Sequence, residues 1–169
     1  MTYEQAAYFR LLLLLGFPEP LDAFFDDALE REDPLSDVIL SLVDCGSDRK
    51  AQLAVLHEYT QAAQVDYAVV GRYVLDFACA KKDEGWPLEK VTDLLWRAYK
   101  VSGRDDEPWW SMMVCSVWHD DAKWNRHSME EFVESFDNFL RGGEMLSVPV
   151  RTTPKQESFW QKLRKWWKR

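Results

Sequence analysis

Three histidines, His57, His119 and His127, are the residues from which metal or acid–base chemistry would have to be built. His57–Glu58 opens like the His-Glu-x-x-His of zinc peptidases, where two imidazoles one helical turn apart hold the ion and the Glu acts as base. Position 61 is Gln, so the second ligand is missing. His119–Asp120–Asp121 sets an imidazole beside two carboxylates, a pairing that helical metal-dependent phosphohydrolases use, and His57 and Asp137 are the residues that could complete such a set. Di-iron bundles need two Glu-x-x-His pairs, but the residue three before His127 is Trp124, and none of the histidines has an acid at that offset. Phosphate-cradling glycine loops and a Gly-x-Ser-x-Gly nucleophile turn are absent from the sequence, and Gly142–Gly143 reads as a helix stop. We therefore assign no catalytic residue, metal ligand or cofactor from sequence. The enzyme reading that survives is a metal-dependent helical hydrolase using His119 and Asp120.

Cys45, Cys79 and Cys115 are odd in number and show no CxxC spacing. Each lies in an apolar helical stretch, which predicts reduced, buried thiols of an intracellular protein.

The carboxylates are more informative as a population. Asp26, Asp27, Glu30, Glu32 and Asp33 form one cluster, Asp105, Asp106 and Glu107 a second, and Glu130, Glu131, Glu134 and Asp137 a third. None has the oxygen spacing of an EF-hand loop. The whole chain carries −8. Residues 155–169, with six Lys or Arg against one Glu, carry +5, which leaves −13 on residues 1–154. An acidic body of that size repels a phosphate backbone, so nucleic acid is not an expected partner. It suits a basic protein, with electrostatic steering to speed association.

Four of the nine Trp, Trp109, Trp110, Trp118 and Trp124, fall within one stretch. Trp is favoured at binding hot spots, so Trp109, Trp110 and Trp124 are candidates for an aromatic recognition surface; Trp124, in the polar context AKWNRH, is the one most expected to face solvent.

The elements that must position these residues are helical. Thr2 with Gln5 forms a capping box that opens a first helix, and Gly16 with Pro18 beyond closes it. Its leucine run, Leu11–Leu15, is too short to span a bilayer and is preceded by Glu4 rather than a basic region. It reads as a buried helix, not a signal core, and the cytoplasm is the expected location. Leu21, Phe24, Phe25, Ala28 and Leu29 form a second helical stripe. Asp33 and Pro34 have the types of an N-cap and first-turn residue for a third, carrying Leu35, Val38, Ile39, Leu42 and Val43 to Gly46. Ser47 or Asp48 caps a fourth helix with Val55, Leu56, Tyr59 and Ala63. A fifth carries Tyr67, Val70, Val74, Phe77 and Ala78 to Gly85, and includes Gly71, a residue that costs ~1 kcal/mol there unless another helix crosses closely. Pro87 opens a sixth, with Leu88, Val91, Leu94, Leu95 and Ala98, ending at Gly103. Trp109–Trp118 is apolar on all sides and predicts a central buried helix. Ser128 with Glu131 is a second capping box, leading Met129, Phe132, Val133, Phe136 and Leu140 to Gly142.

Residues 147–154 read as a linker. Thr153, Pro154 and Gln156 then start one more helix. Phe159, Trp160, Leu163, Trp166 and Trp167 make its aromatic face, and Lys162, Arg164, Lys165, Lys168 and Arg169 its basic one. Three uses are open to such a helix: lying in an anionic membrane interface, docking in a partner groove, or folding back on the acidic body.

The sequence thus predicts a compact all-α array of about eight antiparallel or orthogonal helices over residues 1–146, a linker over 147–154 and a basic amphipathic helix over 155–169. The expected function is a non-enzymatic protein-interaction module. Its acidic body would bind an unidentified, basic protein, and its tail a membrane surface or partner groove. An inhibitor or immunity-type protein that neutralises a basic partner is the alternative within that class.

Overall fold

The computed structural model describes residues 1–31, 35–124 and 128–144. The chain is all-α, with eight helices and no strand among the described residues. Asp33, Pro34 and His127, the linker 147–154 and the basic helix 155–169 lie outside them.

Helix α1 (Tyr3–Leu15) starts at the capping box the sequence predicts: the Thr2 side chain accepts from the Gln5 amide at 3.1 Å, and the Gln5 side chain accepts from the Thr2 amide at 2.8 Å. It ends at Gly16, whose φ of 89° is the left-handed geometry that glycine adopts without cost. Arg97, from a distant helix, donates to the Leu15 carbonyl at 2.9 Å, so a cation also meets the negative end of α1.

Helices α2 (Glu19–Arg31), α3 (Asp37–Asp44) and α4 (Arg49–Gln61) follow. The third begins later than the sequence suggests: Leu35 and Ser36 are not helical, and Ser36 occupies the N-cap position. A short helix with two inward residues, Ile39 and Leu42, gains little from another turn. Asp48 caps α4 by accepting from the Lys50 and Ala51 amides. That helix stops at Gln61, which leaves Ala63 beyond it.

Helices α5 (Tyr67–Asp83), α6 (Leu88–Ser102), α7 (Trp109–Lys123) and α8 (Met129–Leu140) complete the array. Ser128 accepts from the Glu131 amide at 3.3 Å, the forward half of the predicted box. At the other end of α8, Arg72 reaches over from α5 and donates to the Leu140 carbonyl.

Two apolar clusters hold these helices. The larger joins α1, α5, α6, α7 and α8 through residues including Leu12, Val74, Leu95, Trp109, Trp118, Phe132 and Phe136. The smaller joins α1 to α2, α3 and α4 through Ala6, Phe9, Leu21, Leu42 and Leu56. Helix α1 serves both: Leu11, Leu12 and Leu15 face the larger cluster, Ala6, Phe9 and Leu13 the smaller, and Leu14 is exposed. Each fully buried Leu, Phe or Met contributes roughly 1.5–3 kcal/mol.

This corrects one expectation. The central helix is α1; α7 is buried on one side only. Trp109, Met112, Cys115, Trp118 and Ala122 face inward, while Trp110 and Val117 face out. An apolar sequence on all sides states what a helix could bury, not how many neighbours arrive to cover it. The thiols need a similar correction: Cys115 is buried, but Cys45 and Cys79 are half-buried.

Candidate functional site

The best-formed candidate surface lies along α7 and its contact with α6. Trp110, Val114, Val117, Asp121 and Trp124 follow one another at i, i+4, i+7, i+11 and i+14, which aligns them on one face over ~21 Å of helix. Trp110 and Val117 are each 48% exposed, and Trp124, at the helix C-cap, is 73% exposed. Met113 and Val114 are half-buried between them. Isolated exposed apolar residues are ordinary, but an aligned run bearing two indoles is not.

Trp109 does not belong to this surface. It is fully buried, and its indole Nε1 donates to the Tyr67 carbonyl at 3.0 Å. Its register inside α7 turns it toward α5, one helical step from the outward Trp110.

Beside the exposed stripe, α6 and α7 enclose a cleft of about 410 Å³ lined by Glu89, Thr92, Asp93, Trp96, Ser116, Val117, His119 and Asp120. Val117 therefore belongs to both the stripe and the cleft. Glu89 pairs with Lys123 at 3.1 Å at the rim. Asp93 is exposed and has no cation partner among the described residues, and the side chain of Asp120 is 72% exposed. His119 is only 7% exposed and packs on the Phe132 ring. Its Nδ1 lies 3.9 Å from Asp120 Oδ1, beyond hydrogen-bond distance.

A metal set around His119 does not assemble. Among the described residues no three His, Cys, Asp or Glu side chains are placed to hold one ion. His57 is exposed on α4 and bonds Gln61 at 3.1 Å, while Asp137 on α8 pairs with Lys82.

A second cleft, of about 560 Å³, lies between α5, α8 and the start of α7. Its polar groups serve the fold. Arg72 is tied to Asp76 and the Leu140 carbonyl, and Glu107 accepts from Ser111 at 2.9 Å. The remaining acids of that loop are also engaged: Asp105 accepts from the Tyr99 hydroxyl, and Arg104 grips Asp106 and holds its carboxyl below the usual range. Burial pushes the Cys115 thiol far up, which makes it a poor nucleophile.

No described helix is long and apolar enough to cross a membrane. Compared with known families, characterised proteins and solved structures, the chain has no match.

Sequence reasoning singled out Trp110, Trp124, His119 and Asp120 but missed Val117, Glu89, Asp93 and Trp96. The stripe was present in the spacing of residues 110–124, hidden because inward and outward residues of α7 are equally apolar. The α6 residues had no signal, since only packing brings them beside α7.

Proposed function

We propose that this chain is a non-enzymatic, intracellular protein-interaction module whose α7 face binds a basic, apolar-faced helix of a partner protein. The observation that carries the reading is the exposed alignment of Trp110, Val117 and Trp124 beside an acid-lined cleft. Two helices that pack side by side meet through apolar stripes of this i, i+4, i+7 spacing. The charge selects the partner: a body of −13 favours a cationic helix and disfavours an anionic one. The same charge supports the narrower reading of an inhibitor or immunity-type protein that neutralises a basic partner.

Residues 155–169 supply the second half of the proposal: Phe159, Trp160, Leu163, Trp166 and Trp167 with their flanking cations would tether the module to an anionic membrane surface or clasp a partner groove.

Binding of a labelled leucine–lysine amphipathic helix to the full chain tests the first half. We expect saturable binding that the leucine–glutamate counterpart does not show. Trp110→Lys with Trp124→Lys removes two apolar anchors and adds like charge, and should weaken binding at least about tenfold. Equal affinity of the two peptides, or an unaffected variant, would contradict the reading.

A further inference from the structure

The cleft between α6 and α7 has a feature that the partner-helix reading does not require. Its mouth carries carboxylates, and its floor carries a buried histidine whose ring shows no hydrogen bond among the described residues. Acids on a solvated surface would not by themselves mark a site. His119 changes that: its side chain is 9% exposed, it lines the cleft, and the Asp120 carboxylate stands 3.9 Å from its Nδ1, beyond hydrogen-bond distance. A ligand that enters the cleft with a donor can supply a hydrogen bond that the ring does not make to the described residues.

We propose that this cleft receives the guanidinium of an arginine side chain, presented by the helix that lies along α7. This rests on the interaction reading above and names the residue type that the cleft favours in the partner. Asp93 and Asp120 flank the opening without cation partners of their own among the described residues, whereas Glu89 is already paired with Lys123. A guanidinium is planar and holds five donors in a fixed fork, so one group can bond two carboxylates and an imidazole nitrogen together. A compact ammonium cannot span the same set. Trp96 adds an aromatic wall, with Lys100 Nζ already 5.6 Å from its ring centroid. Val117 joins the cleft to the exposed stripe, so the arginine would sit one step from the apolar contacts of the same helix.

The probe is N-acetyl-arginine amide, compared with N-acetyl-citrulline amide, which has nearly the same shape without the charge. The reporter is the ring resonance of His119 in full-length protein carrying ¹³C-labelled histidine. His57→Gln and His127→Gln leave His119 as the single histidine signal. We expect a saturable shift with the arginine amide and none with the citrulline amide. Asp93→Asn with Asp120→Asn, both at exposed positions that fold does not depend on, should weaken binding about tenfold. A resonance that stays still, that moves equally with citrulline, or that responds undiminished in the double Asn variant overturns the proposal. Trp110 and Trp124 do not line the cleft, so their Lys variants should keep the response to the arginine amide. Helix binding without an arginine response would sink this inference and leave the interaction reading standing. An arginine response without helix binding would contradict the interaction reading, and with it the helix as the bearer of the arginine, and leave only the cleft's preference for a guanidinium.

Discussion

The ring of Pro108 lies so close to Gly71 that a Cβ on residue 71 would stand 2.6 Å from Pro108 Cγ and 2.8 Å from Cδ. Trp109 lies just behind, with Cε2 at 3.3 Å from the same point. This contact seats the start of α7 on α5 and fixes the rotation of α7, and so decides that Trp109 turns in while Trp110 turns out.

Gly71→Ala should therefore destabilise the protein, although alanine is the better helix former. The propensity gain is about 1 kcal/mol, and overpacking against a rigid ring costs roughly 1–3 kcal/mol. Thermal melting should fall by a few degrees, at ~2–4 °C per kcal/mol for a domain of this size. A rise in melting temperature would show that the contact yields easily.

The two buried indoles should respond differently to loss of their N–H. Trp109 donates to the Tyr67 carbonyl, whereas Trp118 Nε1 is buried with no hydrogen-bond partner among the described residues. Trp→Phe removes volume at both sites, but at 109 it also breaks a hydrogen bond to the Tyr67 carbonyl, and at 118 it deletes an unsatisfied donor. Denaturant unfolding should show Trp109→Phe costing about 1–2 kcal/mol more than Trp118→Phe. Equal costs would mean that the Trp109 bond contributes nothing net.

Acid should act through Glu4 among other carboxylates. Backbone hydrogen bonds at its own helix start and from Asp66 hold the Glu4 carboxyl below its ordinary 4.5. A carboxyl depressed in the folded state stabilises at pH above its unfolded value, and that contribution disappears as pH falls through the folded value. The melting temperature of Glu4→Gln should therefore lie below the parent's near neutrality and converge on it under acid. A gap that widens on acidification would reverse the sign.

Cys115 should resist alkylation. It lies in the core, and burial drives its thiol upward, so little thiolate is exposed to reagent at pH 8. Mass spectrometry after iodoacetamide should find Cys115 unlabelled in native protein and labelled in denaturant. Modification of the native thiol would reveal an opening of α7 from the core.

For the C-terminal segment, Ala at Trp160, Trp166 and Trp167 should abolish co-sedimentation of the full chain with anionic vesicles while melting stays unchanged. A large fall in thermal stability would instead make those residues part of the packed body.

Most of the helical skeleton was legible in the sequence because local signals agree there. Thr2–Gln5, Asp48 and Ser128 cap where their types predict, and Gly16 and Gly103 end helices just past the last apolar position. The boundary of α3 was missed because the capping types at Asp33 and Pro34 describe a start that the two-residue burial of Ile39 and Leu42 does not extend to. The site was legible only in part. His119 and Trp124 stand out by type, but the burial of one and the exposure of the other depend on how many helices reach α7. Asp93 and Trp96 become neighbours of His119 only through the packing of α6.

Nine tryptophans distributed between core, surface and tail make the central claim directly measurable. The chain would be labelled with 5-fluorotryptophan, its ¹⁹F resonances assigned by single Trp→Phe substitutions, and the leucine–lysine helix titrated in. Binding along the outer face of α7 predicts that Trp110 and Trp124 shift together with one saturation curve, while Trp109 and Trp118 stay unmoved in the core. Shifts at other tryptophans with Trp110 and Trp124 unchanged would place the partner elsewhere and contradict the account.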